Sequence, residues 1–359
     1  MKYSKEELCL IWLDSFIGLE YKHKKEIYQK IVNSSKIKDA VISLKNYVES
    51  NVGENAYNLL LSSATGEYLD YVLSSLESSG TLALTVYSNG YPETLLNTEL
   101  PPLVLYYKGD ISLLNEPCFA IVGSRKATPS SLAFTKEITK SVLSAGMVVV
   151  TGTADGVDAT VLKTAIEENK PVISVVAGGF SHIYPINNVD LIERVSEIGL
   201  VISENPPDVK PMPYFFPIRN RIIAGLAQGV LVSSAGIKSG ALYTAEYALE
   251  FGKDVFAVPY SVGVKTGEGC NELIKKGANL VDKPEDILSF YGFEVEEEQT
   301  ELVGLEKDII ELLKEEELHV EVLAEKLKKQ TYEIIPTLQI LEIKGYVYKN
   351  GTNEYGSIK

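Results

Sequence analysis

The sequence predicts an α/β protein: a Rossmann-like, doubly wound and mostly parallel sheet, with a small helical domain before it and a winged-helix domain after it. Three observations carry that expectation. Between residues 117 and 290, short apolar runs alternate with helix-length segments, as in parallel strands buried on both faces. Residues 5–80 repeat apolar side chains at turns of three and four. Residues 301–359 offer three amphipathic stretches and then a hairpin signal.

In chain order, Leu8, Ile11, Trp12 and Phe16, then Leu59 and Leu60, then Leu69, Val72, Leu73 and Leu76 mark the helices of a domain over 1–80. Ser79, Gly80, Asn89, Gly90, Pro92, Pro101 and Pro102 punctuate a transition, and 103–107 reads as a short strand ending at Gly109. The central domain, 81–290, carries strand-like runs at 119–122, 147–150, 172–176, 200–202, 229–232, 255–258 and 280–281. Helices are expected between them over 130–145, 158–168 and 239–251. An acidic linker, 291–300, adds four glutamates and no base. Helices over 303–316, 320–328 and 331–344, with a hairpin around Asn350 and Gly351, give the winged-helix expectation for 301–359.

Composition narrows the function. The chain has 359 residues, 45% hydrophobic and 23% charged, which excludes disordered, collagen-like and coiled-coil classes. No apolar stretch approaches the roughly 18 residues of a membrane helix, and the first residues do not read as a signal peptide. Cys9, Cys118 and Cys270, with His23, His182 and His319, are scattered without metal-ligand spacing, so neither a metal nor another cofactor is expected. The expectation is a reduced, soluble, cytoplasmic protein with no membrane partner. Its 34 basic and 49 acidic side chains leave a net charge of −15, so any nucleic-acid site must be a local cationic cluster.

In such a sheet, ligands bind beyond the carboxyl ends of the strands, at the switch of strand order. After the first central run come Gly123, Ser124, Arg125 and Lys126, where a tight turn, a following helix and two cations suit phosphate. After the second come Gly152, Asp155, Gly156 and Asp158; the last reads as a helix cap, while Asp155 would repel phosphate. The segment 211–225 is the richest. It sets Tyr214, Phe215 and Phe216 beside Arg219, Asn220 and Arg221, so bases find aromatic faces and phosphates find guanidinium groups. Ser239 and Gly240 open a later helix as another anion seat, and 267–274 forms a polar loop containing Asn271. His182 and Cys270 have no neighbouring partner for catalysis and read as a surface histidine and an inert thiol.

These segments, in this order, resemble the DNA-processing protein A (DprA/Smf) family. The resemblance is carried by Tyr91 and Pro92, Pro101 to Tyr106, Ile121 to Arg125, Gly152 to Asp158, Ile183 to Pro185 and Ser203 to Pro207. It continues through Phe216 to Gly225, Ser239 to Leu242, Phe256 to Pro259 and Gly269 to Ile274. It implies a non-enzymatic, dimeric protein that binds single-stranded DNA, protects incoming strands and helps load the RecA recombinase during natural transformation. The family's basic pocket falls on Arg125, Lys126, Arg219 and Arg221, and its stacking aromatic on Phe216. Gly123, Ser124, Gly152, Lys163, Asn220, Ser239, Gly240 and Asn271 complete the expected DNA-binding set. The chain departs from the family pattern at Asp155 and Ile218, where arginines are usual, and at Leu162, where a histidine is common. Phe16 to Leu19 replaces a Pro-Gly loop. The departures predict weaker, more salt-sensitive binding, and the acidic C-terminal domain reads as a protein-contact module. Two other readings stand beside this one. One is a nucleoside monophosphate phosphoribohydrolase-type enzyme using Glu246 near the 239–244 turn; the other is a scaffold that has lost its ligand.

Overall fold

In the computed structural model, residues 3–34, 36–293, 302, 304–314, 316–343, 345–351 and 353–358 are described. Two compact units divide the chain, Met1–Phe293 and Glu294–Lys359. From 294 onward the expected acidic linker lies outside the described residues.

Among the described residues the first unit begins with six helices: α1 (Lys5–Asp14), α2 (Tyr21–Ile31), α3 (Ile37–Ser43), α4 (Lys45–Asn51), α5 (Glu54–Ser63) and α6 (Gly66–Ser78). A capping box starts α1, the Ser4 hydroxyl accepting from the Glu7 N–H at 3.2 Å and the Glu7 carboxylate from the Ser4 N–H at 2.7 Å. Of the apolar repeat read from the sequence, Ile11, Trp12, Phe16, Leu60, Val72 and Leu76 turn inward with Leu10, Leu13 and Ile27, whereas Leu59 is exposed, and the Trp12 indole donates to the Ser63 carbonyl at 2.8 Å. This cluster also takes in Ala83, Val104 and Tyr106, so the helices pack on the edge of the sheet.

The sheet has nine strands: β1 (Leu82–Thr85), β2 (Val104–Gly109), β3 (Cys118–Gly123), β4 (Val148–Thr151), β5 (Val172–Val176), β6 (Leu200–Ser203), β7 (Gly229–Ser234), β8 (Asp254–Ala257) and β9 (Asn279–Leu280). Their order is β1-β2-β6-β5-β4-β3-β7-β8-β9. The pairs from β6 through β9 are parallel, and β1 and β2 add an antiparallel edge. The strands read from apolar runs are present; β1 is an addition, too short to stand out from the turn residues around it.

Helices cover both faces: α7 (Glu93–Leu96), α8 (Pro129–Ser144), α9 (Val157–Glu167), α10 (Val189–Ile198), α11 (Phe215–Leu226), α12 (Ala241–Glu250), α13 (Glu268–Lys275) and α14 (Glu285–Phe290). Alternate strand residues serve opposite faces. Ala120, Val122, Val150, Ile173, Val230 and Val232 pack against Ile222 and Ile223 of α11 and Ala245 of α12. Phe119, Ile121, Val149, Val172 and Leu231 pack against Ile138 of α8, Val161 of α9 and Val195 of α10. Both sets are buried, which is why the runs are apolar without alternation; each large side chain contributes about 1.5–3 kcal/mol.

Chain order steps outward from β3 to β6, then returns through α11 to β7 on the other side of β3. The β3–β7 boundary is therefore the switch point, and the crevice beyond their carboxyl ends is where this architecture receives ligands.

The second unit contains α15 (Leu305–Leu313), β10 (Leu318–His319), α16 (Val320–Leu327), α17 (Thr331–Ile343), β11 (Val347–Asn350) and β12 (Glu354–Ser357), the strands forming an antiparallel sheet in the order β10-β12-β11. Ile309, Leu313, Leu323, Leu338 and Tyr355 form its own core.

Candidate functional site

A cleft of 510 Å³ opens at the switch point. One wall is the β3 turn, Gly123 to Lys126, and another is the first two turns of α11, with Phe216, Pro217, Arg219 and Asn220. The β7–α12 turn (Gly236, Lys238, Ser239, Gly240) and Lys265 with Thr266 close the third side, while Ala154 and Asp158 lie beneath.

Local sequence explains how these walls hold. Thr128 caps α8, its hydroxyl accepting from the Ser131 N–H at 3.2 Å with Pro129 in the first turn, so the β3 turn feeds directly into a fixed helix. Within that turn the Ser124 N–H donates to the Ser234 carbonyl at 2.7 Å, and the Ser124 hydroxyl accepts from the Lys126 N–H at 3.0 Å. Gly156, at φ +80°, lies against the same turn; a Cβ there would stand 2.4 Å from the Ser124 carbonyl oxygen. The Asn220 amide donates to the Gly240 carbonyl at 3.1 Å and accepts from the Arg219 Nε at 3.1 Å, tying α11 to the β7–α12 turn.

The cations fall into two kinds. Arg125, Lys126, Lys238 and Lys265 are exposed, and among the described residues no carboxylate ion-pairs with them. The Arg125 guanidinium lies 5.5 Å from the centroid of the half-buried Phe216 ring, a cation–π contact that places charge and aromatic face together. The Phe216 ring meets Tyr184 edge-on at 5.8 Å. Arg219 is instead 7% exposed, with Nη1 donating to the Val175 carbonyl. Burial pulls its pKa down to about 10, against the supporting charge of Asp158, so it stays cationic at neutral pH. Burial likewise raises the Asp158 carboxyl, while Arg219 and the Ala154 N–H (3.1 Å) work the other way.

Several expected site residues take other positions. Gly152 lines no part of the cleft. Its missing Cβ makes room for the buried charges, since one would stand 2.4 Å from Asp158 and 2.8 Å from Arg219. Arg221 faces away: it pairs with Glu204 and lines a second cavity of 340 Å³ with Asp14, Tyr21 and Lys24. The expectation that it shares a pocket with Arg125 is corrected: Phe216 and Asn220 of α11 face the Arg125 side, whereas Arg221 lies with Phe215 and Ile218 on the face turned to the second cavity. Lys163 is exposed on α9 beside Glu167 and outside the cleft lining. Asn271 is engaged by Tyr260, donating to its carbonyl at 2.9 Å and accepting from its N–H at 3.0 Å. Glu246, required by the hydrolase reading, is exposed and outside the lining, and Cys270 is buried with its thiol pushed up to about 12.

The departures from the family pattern also lie outside the cleft. Asp155 accepts from Asn188 at 3.4 Å, Ile218 lines the second cavity, and Leu162 is buried in the core. Sequence reasoning missed Lys238, Lys265, Thr244 and Thr266, all in the lining. Lys238 adjoins Ser239 and was reachable by reading the turn after β7. Lys265 carries no local signal, because its loop reaches the cleft through the fold.

Fold and cleft define a Rossmann-like protein with a cationic, aromatic-walled crevice at the switch point of its sheet. The chain belongs to the DNA recombination-mediator protein A family, whose model matches residues 82–292. It is 39% identical over 220 residues to the DNA processing protein DprA of Bacillus subtilis, covering 61% of this chain and 74% of that one. The Escherichia coli protein Smf is 34% identical over 277 residues, 72% of this chain and 73% of its own. Among solved structures, DprA of Streptococcus pneumoniae superposes with a TM-score of 0.68 at 28% identity, covering 82% of this chain and all of that one (100%). DNA processing protein A of Helicobacter pylori, described with a single-stranded DNA binding mode, superposes with a TM-score of 0.54 at 30% identity, covering 59% of this chain and 95% of that one.

Proposed function

We propose that the chain binds single-stranded DNA in the cleft between the ends of β3 and β7, without catalysing a reaction on it. The observation that carries this reading is the Arg125 guanidinium over the Phe216 ring. That pair gives an unpaired base a surface to stack on and a phosphate a cation beside it. A paired duplex hides the faces of its bases, so the aromatic wall favours an open strand. Lys126, Lys238 and Lys265 supply further phosphate contacts within a chain of net charge −15, so attraction is concentrated at one place. The likeness to the H. pylori protein supports the same ligand class.

The wider role is that of the family: protection of incoming strands, loading of RecA and action as a cytoplasmic homodimer. Among the described residues no helix is long and apolar enough to cross a membrane. The C-terminal unit is read as a winged helix serving protein contact, given its 8 basic and 12 acidic residues over 301–359. The hydrolase reading is disfavoured because Glu246 is absent from the cleft lining, where Asp158 is the acid and is buried.

Fluorescence anisotropy with single- and double-stranded oligonucleotides of one sequence tests the proposal. A strong preference for the single strand is expected. Equal affinity for the duplex would remove the stacking argument, and release of free base from a nucleotide would restore the enzyme.

A further inference from the structure

Three buried side-chain hydroxyls lack a hydrogen-bond partner among the described residues: Thr94, Thr244 and Thr266. Two of the three, Thr244 and Thr266, line the same cleft. Thr244 is 1% exposed and sits in the first turns of α12. A buried hydroxyl without a partner is a standing cost that a ligand oxygen removes. The neighbours of these hydroxyls say which oxygen. The α12 helix, ten residues long, directs its N-terminus at the same wall and favours an anion there. Lys238 and Lys265 stand on that wall without an ion-pair partner among the described residues.

We infer that this wall, made by Lys238, Ser239, Thr244, Lys265 and Thr266, is a seat for a phosphomonoester, the end phosphate of a strand or of a free mononucleotide. The inference deepens the proposed single-strand binding and rests on it for the strand as occupant. Charge separates the monoester from an internal diester. A diester carries one negative charge, whereas a monoester near neutrality carries almost two, with three terminal oxygens. Two ammonium groups, a helix N-terminus and two unused hydroxyls match the second. Across the cleft, Arg125 and Phe216 remain for a base and an internal phosphate, so one wall reads the strand and the other its end.

The experiment compares oligodeoxynucleotides of one sequence carrying a 5′-phosphate, a 3′-phosphate or neither, by anisotropy at a single salt concentration. Thermal shift with thymidine monophosphate against thymidine runs in parallel. A phosphate at one end is expected to raise affinity about tenfold. Thr244→Val, of nearly the same shape, and Lys238→Ala, at an exposed position, are each expected to bring that ratio toward one. Thymidine monophosphate, and not thymidine, is expected to raise the melting temperature. A stabilising monophosphate with no end-phosphate advantage would assign the seat to the free nucleotide. Unphosphorylated strand bound as tightly as either phosphorylated form, with no monophosphate shift, would overturn the seat and leave single-strand binding standing. A monophosphate shift with no strand bound would do the reverse.

Discussion

On one side of α11 lies the 510 Å³ cleft, where Arg125, Lys126, Lys238 and Lys265 stand exposed without carboxylate partners among the described residues. On the other lies the 340 Å³ cavity, where Arg221 is held by Glu204 and Lys24 by Asp14 at 2.8 Å. Phe216, Asn220 and Ile223 of the helix turn to the first; Phe215, Ile218 and Arg221 turn to the second. Both cavities are rich in charge, and the difference is pairing. Cations left unpaired in water keep their attraction for an incoming anion, whereas those already neutralised inside the fold tie neighbouring elements, Lys24 of α2 to Asp14 of α1 and Arg221 of α11 to Glu204 after β6. Arg219, which lines both, belongs to the second kind by its burial and its contact with Val175.

The largest effect is expected on stability. Arg221→Met leaves Glu204 without its cation, so the folded state should lose roughly 2–3 kcal/mol in urea unfolding, less than a fully buried pair because Glu204 keeps some water. Adding Glu204→Gln should recover much of that loss. An unchanged midpoint in the single variant would mean that the second cavity is not a structural joint.

Strand binding separates the two cavities next. Arg125→Ala should weaken single-strand affinity by about 1.5–3 kcal/mol, and Phe216→Ala by about 1–3 kcal/mol, read by anisotropy. Arg125 is exposed and ion-paired with no carboxylate among the described residues, so the stability of the variant should stay within about 0.5 kcal/mol of the parent. Arg221→Met, by contrast, should leave single-strand affinity within about twofold. Loss of binding in the Arg221 variant comparable to that in the Arg125 variant would merge the two cavities into one site.

The smallest effect lies in the salt response. Lys238→Ala and Lys265→Ala should each flatten the slope of log affinity against log salt by about 0.7, the loss of one single-strand phosphate contact. Slopes equal to that of the parent would place both lysines outside the strand's path.

The legibility of the fold followed burial. The parallel strands from β3 to β8 are covered on both faces, so they appear in the sequence as unbroken apolar runs. β1 and β10 span Leu82–Thr85 and Leu318–His319, too short to display a period, and pairing alone defines them. Arg125 was legible because ligands gather beyond strand ends and it directly follows β3, and Phe216 because the segment 211–225 sets aromatics beside cations. Arg219 and Arg221 were not separable by residue type; the fold leaves Arg219 buried between the two cavities and Arg221 in the second alone. Lys265 enters the cleft from the loop after β8, a proximity set by the sheet order rather than by any local motif. Asn271 looked free in the sequence, yet Tyr260 occupies both ends of its amide.

In the proposed complex an unpaired strand lies across the Arg125–Phe216 wall at the β3–β7 switch point. Photocrosslinking the full chain to a single strand bearing 4-thiothymidine, followed by peptide mapping, tests it most directly. Crosslinks concentrated in the peptides containing Arg125 and Phe216, and lost when unlabelled strand is added, are the expected result. Crosslinks confined to residues 301–359, or to the peptide carrying Asp14 and Lys24, would contradict it.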